Sequence, residues 1–213
     1  MPKILYESQE KYLKSLRKEP DELLKEMEKF ADEKKIPILD WKAAEFLEQL
    51  IIINSPKRVL EIGTAIAYSS IRIARVLKKG AVLDTIEKSK HNIPLAEKFI
   101  GRAGLQSKIN ILKGDALKII PELNENYDFI FLDADKQDYE NLFLFSLMVL
   151  KKGGVIFVDN LLWHGYTAAK TVPDTFKRSA SIIREFNLSF LSNGSIDASI
   201  YPVGDGIGIG IKK

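Results

Sequence analysis

The chain has 213 residues, 46% of them apolar and 29% charged, with a formal net charge of +3. This length suffices for one large domain with a real core, and the composition excludes an intrinsically disordered chain. Cysteine is absent, which excludes a disulfide framework, a thiolate metal site and cysteine catalysis, while the small charge neither requires nor excludes nucleic acid.

The opening Met-Pro-Lys-Ile-Leu-Tyr-Glu lacks a signal-peptide core, and no apolar stretch reaches membrane-spanning length, so a cytoplasmic protein without membrane contact is expected. From Leu5 to Ile53 the pattern is helical. Leu5, Tyr12, Leu13 and Leu16 recur at helical spacing, and Tyr6 and Tyr12 are expected to pack between helices. Pro20 marks the first turn of a second helix, whose period continues through Leu23, Leu24, Met27 and Phe30. After the break at Lys35-Ile-Pro37-Ile-Leu-Asp40, a third helix runs from Trp41 to Ile53, capped by Asp40. Residues 1–53 thus read as a helical appendage that covers a site or makes a dimer contact. Their scattered lysines read most simply as a solvated face.

From residue 57 onward, strand, turn and helix alternate. Arg58 to Ile62 is the first strand, with a helix near Ser69 to Leu77. Ala81 to Ile86 and Lys108 to Leu112 follow as strands two and three, separated by a helix from Lys90 to Ala103. The apolar run Phe129 to Leu132 is strand four, with a helix at Tyr139 to Leu150. Strand five, Gly154 to Val158, leads through a long loop to a helix near Asp174 to Phe186. Such alternation implies an α/β fold, a doubly wound and mostly parallel sheet. Ala198 to Val203 and Ile207 to Lys212 flank Gly204-Asp205-Gly206, a hairpin signal, so an antiparallel C-terminal strand completes seven. No linker or repeat interrupts residues 1–213, which read as a single domain with its α/β core at 57–213.

Glu61, Glu87, Asp115, Asp133 and Asp159 all stand at the ends of strands one to five. Ligands of open α/β sheets bind outside the carboxyl ends of the strands. Any one of these acids alone is as readily a helix cap, but together they form a negative rim suited to a metal, to ribose hydroxyls or to a cationic cofactor. Strand four ends in Asp133-Ala-Asp135-Lys136 and strand five in Asp159-Asn160. Asp133, Asp159 and Asn160 offer three hard oxygens, a seat for Mg²⁺, with Lys136 beside them; Asp135 is expected to cap. Gly63 permits a tight turn and a close ligand approach, yet the glycine spacing is not that of the dinucleotide fingerprint, and there is no phosphate loop. Glu87 is placed for ribose hydroxyls and Asp115 for an adenine amino group, which together describe a nucleoside carrying an amino acid. His91 reads as surface and His164 is open. Asp84, inside strand two, has no account from sequence.

Several stretches together resemble a known family: Val59-Leu-Glu-Ile-Gly-Thr-Ala-Ile-Ala-Tyr-Ser-Ser70, Thr85-Ile-Glu87, Gly114-Asp-Ala116, Phe131-Leu-Asp-Ala-Asp-Lys136, Val158-Asp-Asn-Leu-Leu-Trp163 and Pro202-Val-Gly-Asp-Gly206. From Ile36 onward the chain resembles class I S-adenosylmethionine-dependent O-methyltransferases of the metal-dependent catechol and caffeoyl-coenzyme A group. It looks most like the small bacterial branch with the tRNA 5-hydroxyuridine methyltransferases. The resemblance implies a Rossmann-like fold, S-adenosylmethionine and Mg²⁺ or another divalent cation as cofactors, and a homodimer. It implies a metal held by Asp133, Asp159 and Asn160. Glu87 and Asp133 would bind cofactor, Asp115 and Ala116 would lie at the adenine, and Glu61, Gly63 and Ser69 would line the methionine portion. Lys136 would be the general base, and Trp163 would flank the acceptor. The family carries glycine where this chain has Ala67, whose methyl group fits only if φ stays negative. Two acceptor classes stand open, a catechol-like phenol and 5-hydroxyuridine in tRNA, the latter making this a tRNA-processing enzyme. The competing functions are a nicotinamide-dependent oxidoreductase and a non-catalytic nucleoside-binding module on the same sheet.

Overall fold

A computed structural model describes residues 5–213, so the first four residues of the N-terminal stretch considered above for a leader lie outside the described residues. Seven strands form one sheet in the order β3-β2-β1-β4-β5-β7-β6. They are β1 (Arg58–Ile62), β2 (Val82–Glu87), β3 (Ile109–Lys113), β4 (Tyr127–Leu132), β5 (Leu150–Val158), β6 (Ile196–Tyr201) and β7 (Ile207–Lys212). The first five pair in parallel. β7 runs antiparallel to both β5 and β6, so the antiparallel strand is inserted second from the edge and β6 closes the sheet.

Side-chain alternation along the central strands builds two apolar layers. Phe129 and Phe131 of β4 join Val59, Leu83 and Phe157 on one face, covered by α2 (Glu22–Lys34), α3 (Trp41–Asn54), α4 (Tyr68–Val76) and α5 (Asn92–Ala103). Ile130 and Leu132 join Leu60, Ile62, Ile156 and Val158 on the other, beneath α7 (Tyr139–Val149) and α8 (Asp174–Ser192). Helix α8 extends six residues beyond the expected Phe186 because Phe190, about one turn further on, is also buried in this layer.

The N-terminal helices divide. Leu24, Met27 and Ala31 of α2 and Ala43, Ala44, Leu47 and Ile51 of α3 belong to the core. Asp40 caps α3 by accepting from the Lys42 N–H at 2.9 Å. Pro20 is not in the first turn of α2: it precedes the cap, Asp21, whose carboxylate accepts from the N–H groups of Leu23 and Leu24. Helix α1 (Glu7–Leu16) buries nothing. Tyr6 is 79% exposed and Tyr12 64%, so the expectation that they pack between helices is corrected: the apolar stripe of α1 faces outward.

Asp84 now has its account. Buried in β2, it accepts from Tyr127 Oη at 2.9 Å, Asn110 Nδ2 at 3.1 Å and Arg58 Nε at 3.2 Å, tying together β1, β2, β3 and β4. The strand order reverses between β1 and β4, and the crevice beyond their carboxyl ends is where such folds bind ligands.

Candidate active site

A cleft opens at that crevice, bringing together Gly63, Glu87, Asp115 and Ala116 with Asp135 and Asp138 from the segment after β4. Gly63 has φ +106°, and a Cβ there would stand 1.9 Å from the Asp133 carbonyl oxygen. Only glycine lets β1 end so close to β4. Glu87, at the end of β2, is buried. Its Oε2 accepts from the Ala65 N–H at 2.8 Å and its Oε1 from the Ser89 N–H at 2.7 Å, which pins the loop after β1 to the end of β2. Asp115 lines the cleft while capping α6 (Ala116–Ile119) through the Leu117 N–H at 3.1 Å.

Glu61 points beneath this loop and is 0% exposed. Ser69 donates to its Oε1 at 2.5 Å, and Thr85 donates to its Oε2 at 2.6 Å, beside a further bond from Ser70. Burial pushes its carboxyl up to about 7, against the three hydroxyls that hold it down, and the Asp133 charge adds to the rise. Ala67 departs from expectation. It adopts φ +67° and ψ +27° as the residue before α4, so its methyl group is carried in the left-handed region rather than at negative φ. The Ala67 N–H donates to the Thr64 carbonyl at 2.8 Å, closing a turn immediately before the helix.

Lys136 occupies the centre of the second group. It is 9% exposed, so it is not a surface lysine paired with Asp135 or Asp138. Its Nζ donates to Asn160 Oδ1 at 2.6 Å, Tyr139 Oη at 2.5 Å, and Asp133 Oδ1 and the Ala134 carbonyl at 3.2 Å each. Tyr139 in turn donates to the Asp159 carbonyl at 3.0 Å. Asp135 caps the following turn through the Gln137 N–H, as its position after β4 leads one to expect.

Asp159 is buried, and its Oδ1 has no hydrogen-bond partner. Burial, reinforced by the Asp133 charge, pushes its carboxyl well above the usual carboxylate range. Asp133 and Asn160 each turn an oxygen toward one cationic nitrogen, and beside them lies an orphaned carboxylate oxygen. That donor set fits a hard divalent cation. Among the described residues no group of three or more His, Cys, Asp or Glu side chains converges on one point. The set here is two carboxylates and an amide.

Trp163 lies over this group, its ring centre 5.6 Å from Lys136 Nζ and its Nε1 donating to Ser179 Oγ at 2.8 Å. His164 stacks at 5.1 Å from it, beside Tyr166 and Phe176. His91 is exposed at the start of α5. One site residue escaped sequence reasoning. Asp205 reaches in from the β6–β7 hairpin to accept from the His164 N–H at 2.5 Å and from Asn160 Nδ2 at 3.4 Å. Its signal was the Gly204-Asp205-Gly206 turn, read as a hairpin and as part of the family resemblance but not as a site residue.

The O-methyltransferase family model matches residues 14–213. The chain is 34% identical over 173 residues to a catechol O-methyltransferase from Niastella koreensis, covering 79% of this chain and 75% of that one. It is 32% identical over 170 residues to a caffeoyl-CoA O-methyltransferase from Populus kitakamiensis, covering 76% and 72%. The solved O-methyltransferase from Bacillus cereus in complex with SAH superimposes with a TM-score of 0.84 at 28% identity, covering 97% of each chain. The cleft at the β1–β4 reversal and these likenesses agree: the chain belongs to the O-methyltransferase family, an S-adenosylmethionine-dependent enzyme class.

Proposed function

We propose that this enzyme moves a methyl group from S-adenosylmethionine to a hydroxyl lying next to a second chelating oxygen, with Mg²⁺ or a similar ion held by Asp133, Asp159 and Asn160. The observation that carries the metal is the orphaned Asp159 Oδ1, a buried carboxylate oxygen beside two others already facing positive charge. Glu87, Asp115 and Ala116 would hold the nucleoside, and Gly63, Ser69, Glu61 and Asp133 the remainder of the cofactor. When bound, the two groups supply a methyl sulfonium and a Lewis acid that lowers the pKa of a coordinated hydroxyl.

The chain's own residues then have to align, shield and deprotonate. An in-line displacement depends chiefly on positioning. Trp163, tied to Ser179, provides a flat wall for a planar acceptor. Lys136, entering the step as the neutral amine, takes the hydroxyl proton at Nζ and becomes the ammonium from which Tyr139 and Asn160 accept. Tyr139 keeps its lone pair toward Nζ because its own proton is committed to the Asp159 carbonyl.

A catechol-like phenol is the acceptor best matched to the planar wall, and a curated relative of the chain is a catechol O-methyltransferase. The 5-hydroxyuridine of tRNA, with its O4 and 5-hydroxyl, is the second reading, favoured by exposed Lys170 and Arg178 in and after the loop beyond Trp163. Exposed Tyr6, Tyr12 and Leu16 on α1 with Ile52 and Ile53 on α3 support a homodimer, and the absence of cysteine suits the cytoplasm. A nicotinamide-dependent oxidoreductase has no support once the family is known.

The test incubates the purified protein with methyl-labelled cofactor and Mg²⁺, offering a panel of catechols in one arm and unmethylated tRNA in the other. Label on a catechol, lost with EDTA, is the expected result. Label on tRNA alone, with affinity that falls steeply with salt, assigns the second reading. No transfer in either arm leaves a nucleoside-binding module and overturns both.

A further inference from the structure

Asn160 is held between two partners of opposite charge. Its Oδ1 lies 2.6 Å from Lys136 Nζ, and its Nδ2 donates to Asp205 Oδ2 at 3.4 Å. An ammonium only donates and a carboxylate only accepts, so both neighbours demand the same orientation of the amide. A half-turn of the amide would set NH₂ against ammonium and oxygen against carboxylate, two repulsive contacts in place of two attractive ones. A metal ion in place of Lys136 would also call for the oxygen, and the Asp205 contact would hold the amide in that orientation before the ion arrives.

The same carboxylate secures the loop that follows. Asp205 Oδ1 accepts from the His164 N–H at 2.5 Å, the Asp205 carbonyl from the Leu162 N–H at 2.9 Å, and the Gly206 carbonyl from the Leu161 N–H at 2.9 Å. Asn160, Trp163 and His164 have φ of +64°, +46° and +56°. Asparagine tolerates that region, whereas bulkier residues resist it by about 1–2 kcal/mol each. The hairpin is docked too tightly to drift: a Cβ on Gly206 would lie 2.6 Å from the Leu162 nitrogen.

We propose that Asp205 is a positioning residue of the metal centre, fixing the Asn160 amide with its oxygen inward and holding the Trp163–His164 wall against the site. This rests on the divalent-cation reading above. It assigns the β6–β7 hairpin a part in metal affinity although the hairpin contributes no ligand.

The experiment titrates Mn²⁺, followed by its electron paramagnetic resonance signal, into the wild-type enzyme and into Asp205→Asn, and measures S-adenosylmethionine binding to both by calorimetry. Asp205→Asn keeps size and shape but turns a second NH₂ toward Asn160 or His164. Partners behind metal ligands typically contribute 10–100-fold in affinity, so Mn²⁺ should bind about 10–100-fold more weakly while cofactor affinity moves by less than about twofold. Adding Asn160→Asp to that variant restores donor and acceptor in reversed order, since the amide introduced by Asp205→Asn then donates to a carboxylate with two equivalent oxygens. The expected result is recovery of Mn²⁺ binding in the double variant up to the affinity of the Asn160→Asp single variant, which carries the same added carboxylate beside an intact Asp205. A merely structural hairpin would leave the double variant weaker by the same factor as Asp205→Asn. If Asp205→Asn does not fold, Asp205→Ser, which withdraws the oxygen facing Asn160, is read in the same way. Unchanged Mn²⁺ affinity in the single variant, or a loss that Asn160→Asp leaves uncorrected, overturns the inference. A wild-type enzyme that binds no Mn²⁺ removes the divalent-cation reading itself, and the inference falls with it.

Discussion

A Cβ on Gly63 would overlap the carbonyl oxygen of Asp133, at 1.9 Å. The first parallel strand and its neighbour therefore converge just where one enters the loop before α4 and the other delivers a carboxylate. The Asp133 N–H completes the contact by donating to the Ile62 carbonyl at 3.0 Å. Gly63→Ala is expected to force the strand ends apart and to carry an alanine at φ +106°, costing on the order of 3 kcal/mol of stability. Cofactor affinity should fall with it. Denaturant titration and calorimetry check this, and a variant with wild-type values of both would show that the strands accommodate the methyl group.

Lys136, proposed above as the proton acceptor, has four oxygens around one nitrogen. Positioned acid–base groups contribute about 10²–10⁴-fold, so Lys136→Met should lower kcat by that factor while changing cofactor affinity by less than about threefold. Single-turnover kinetics beside a binding isotherm separates the two effects. A kcat close to wild type would remove Lys136 from proton transfer.

The parallel strands were readable because strand and helix patterns alternate and because β4 and β5 are apolar runs followed at once by Asp133 and Asp159, where the chain leaves the sheet. Periodicity failed for α1, since Tyr12 and Leu16 keep helical spacing whether or not anything covers them. Spacing is also blind to partners brought from far along the chain. Asp205 meets Asn160 across 45 residues, and a carboxylate between two glycines looks the same whether its turn is free or docked. Ala67 shows the limit of residue-type rules for backbone: it takes a left-handed φ at the entrance to α4, which no propensity at that position reveals.

The same limit explains Asp84, whose partners Arg58, Asn110 and Tyr127 lie on three other strands. It fastens the end of the sheet remote from the cleft and touches no residue lining it. Asp84→Ala would leave the buried Tyr127 hydroxyl and the Asn110 amide without their acceptor. Because Arg58 is partly exposed and also meets Glu125 at 2.7 Å, the loss should lie near the low end for a broken buried pair, about 2–3 kcal/mol. Thermal unfolding checks the stability, and cofactor affinity measured well below the melting temperature should be unchanged. A drop in affinity there would tie this network to the site.

Glu61 makes stability depend on pH in a direction opposite to that of most carboxylates. Burial raises its folded-state pKa from an ordinary 4.5 to about 7, despite the hydroxyls of Ser69, Ser70 and Thr85. Between those values the folded chain keeps a proton that the unfolded chain has released. The unfolded state then binds fewer protons, so the contribution of this group to stability declines as pH rises through that window and levels off above it. A shift of this size corresponds to roughly 3 kcal/mol as an order of magnitude. Glu61→Gln keeps the shape and offers the three hydroxyls an amide that does not titrate. Chemical denaturation of both proteins from pH 5 to 8 isolates the effect as the difference between their curves: wild type should lose stability relative to the glutamine variant as pH rises, with the loss complete above about pH 7. Parallel curves would mean that Glu61 is ionised throughout in the folded enzyme, and that its three hydroxyl donors outweigh the burial of its charge.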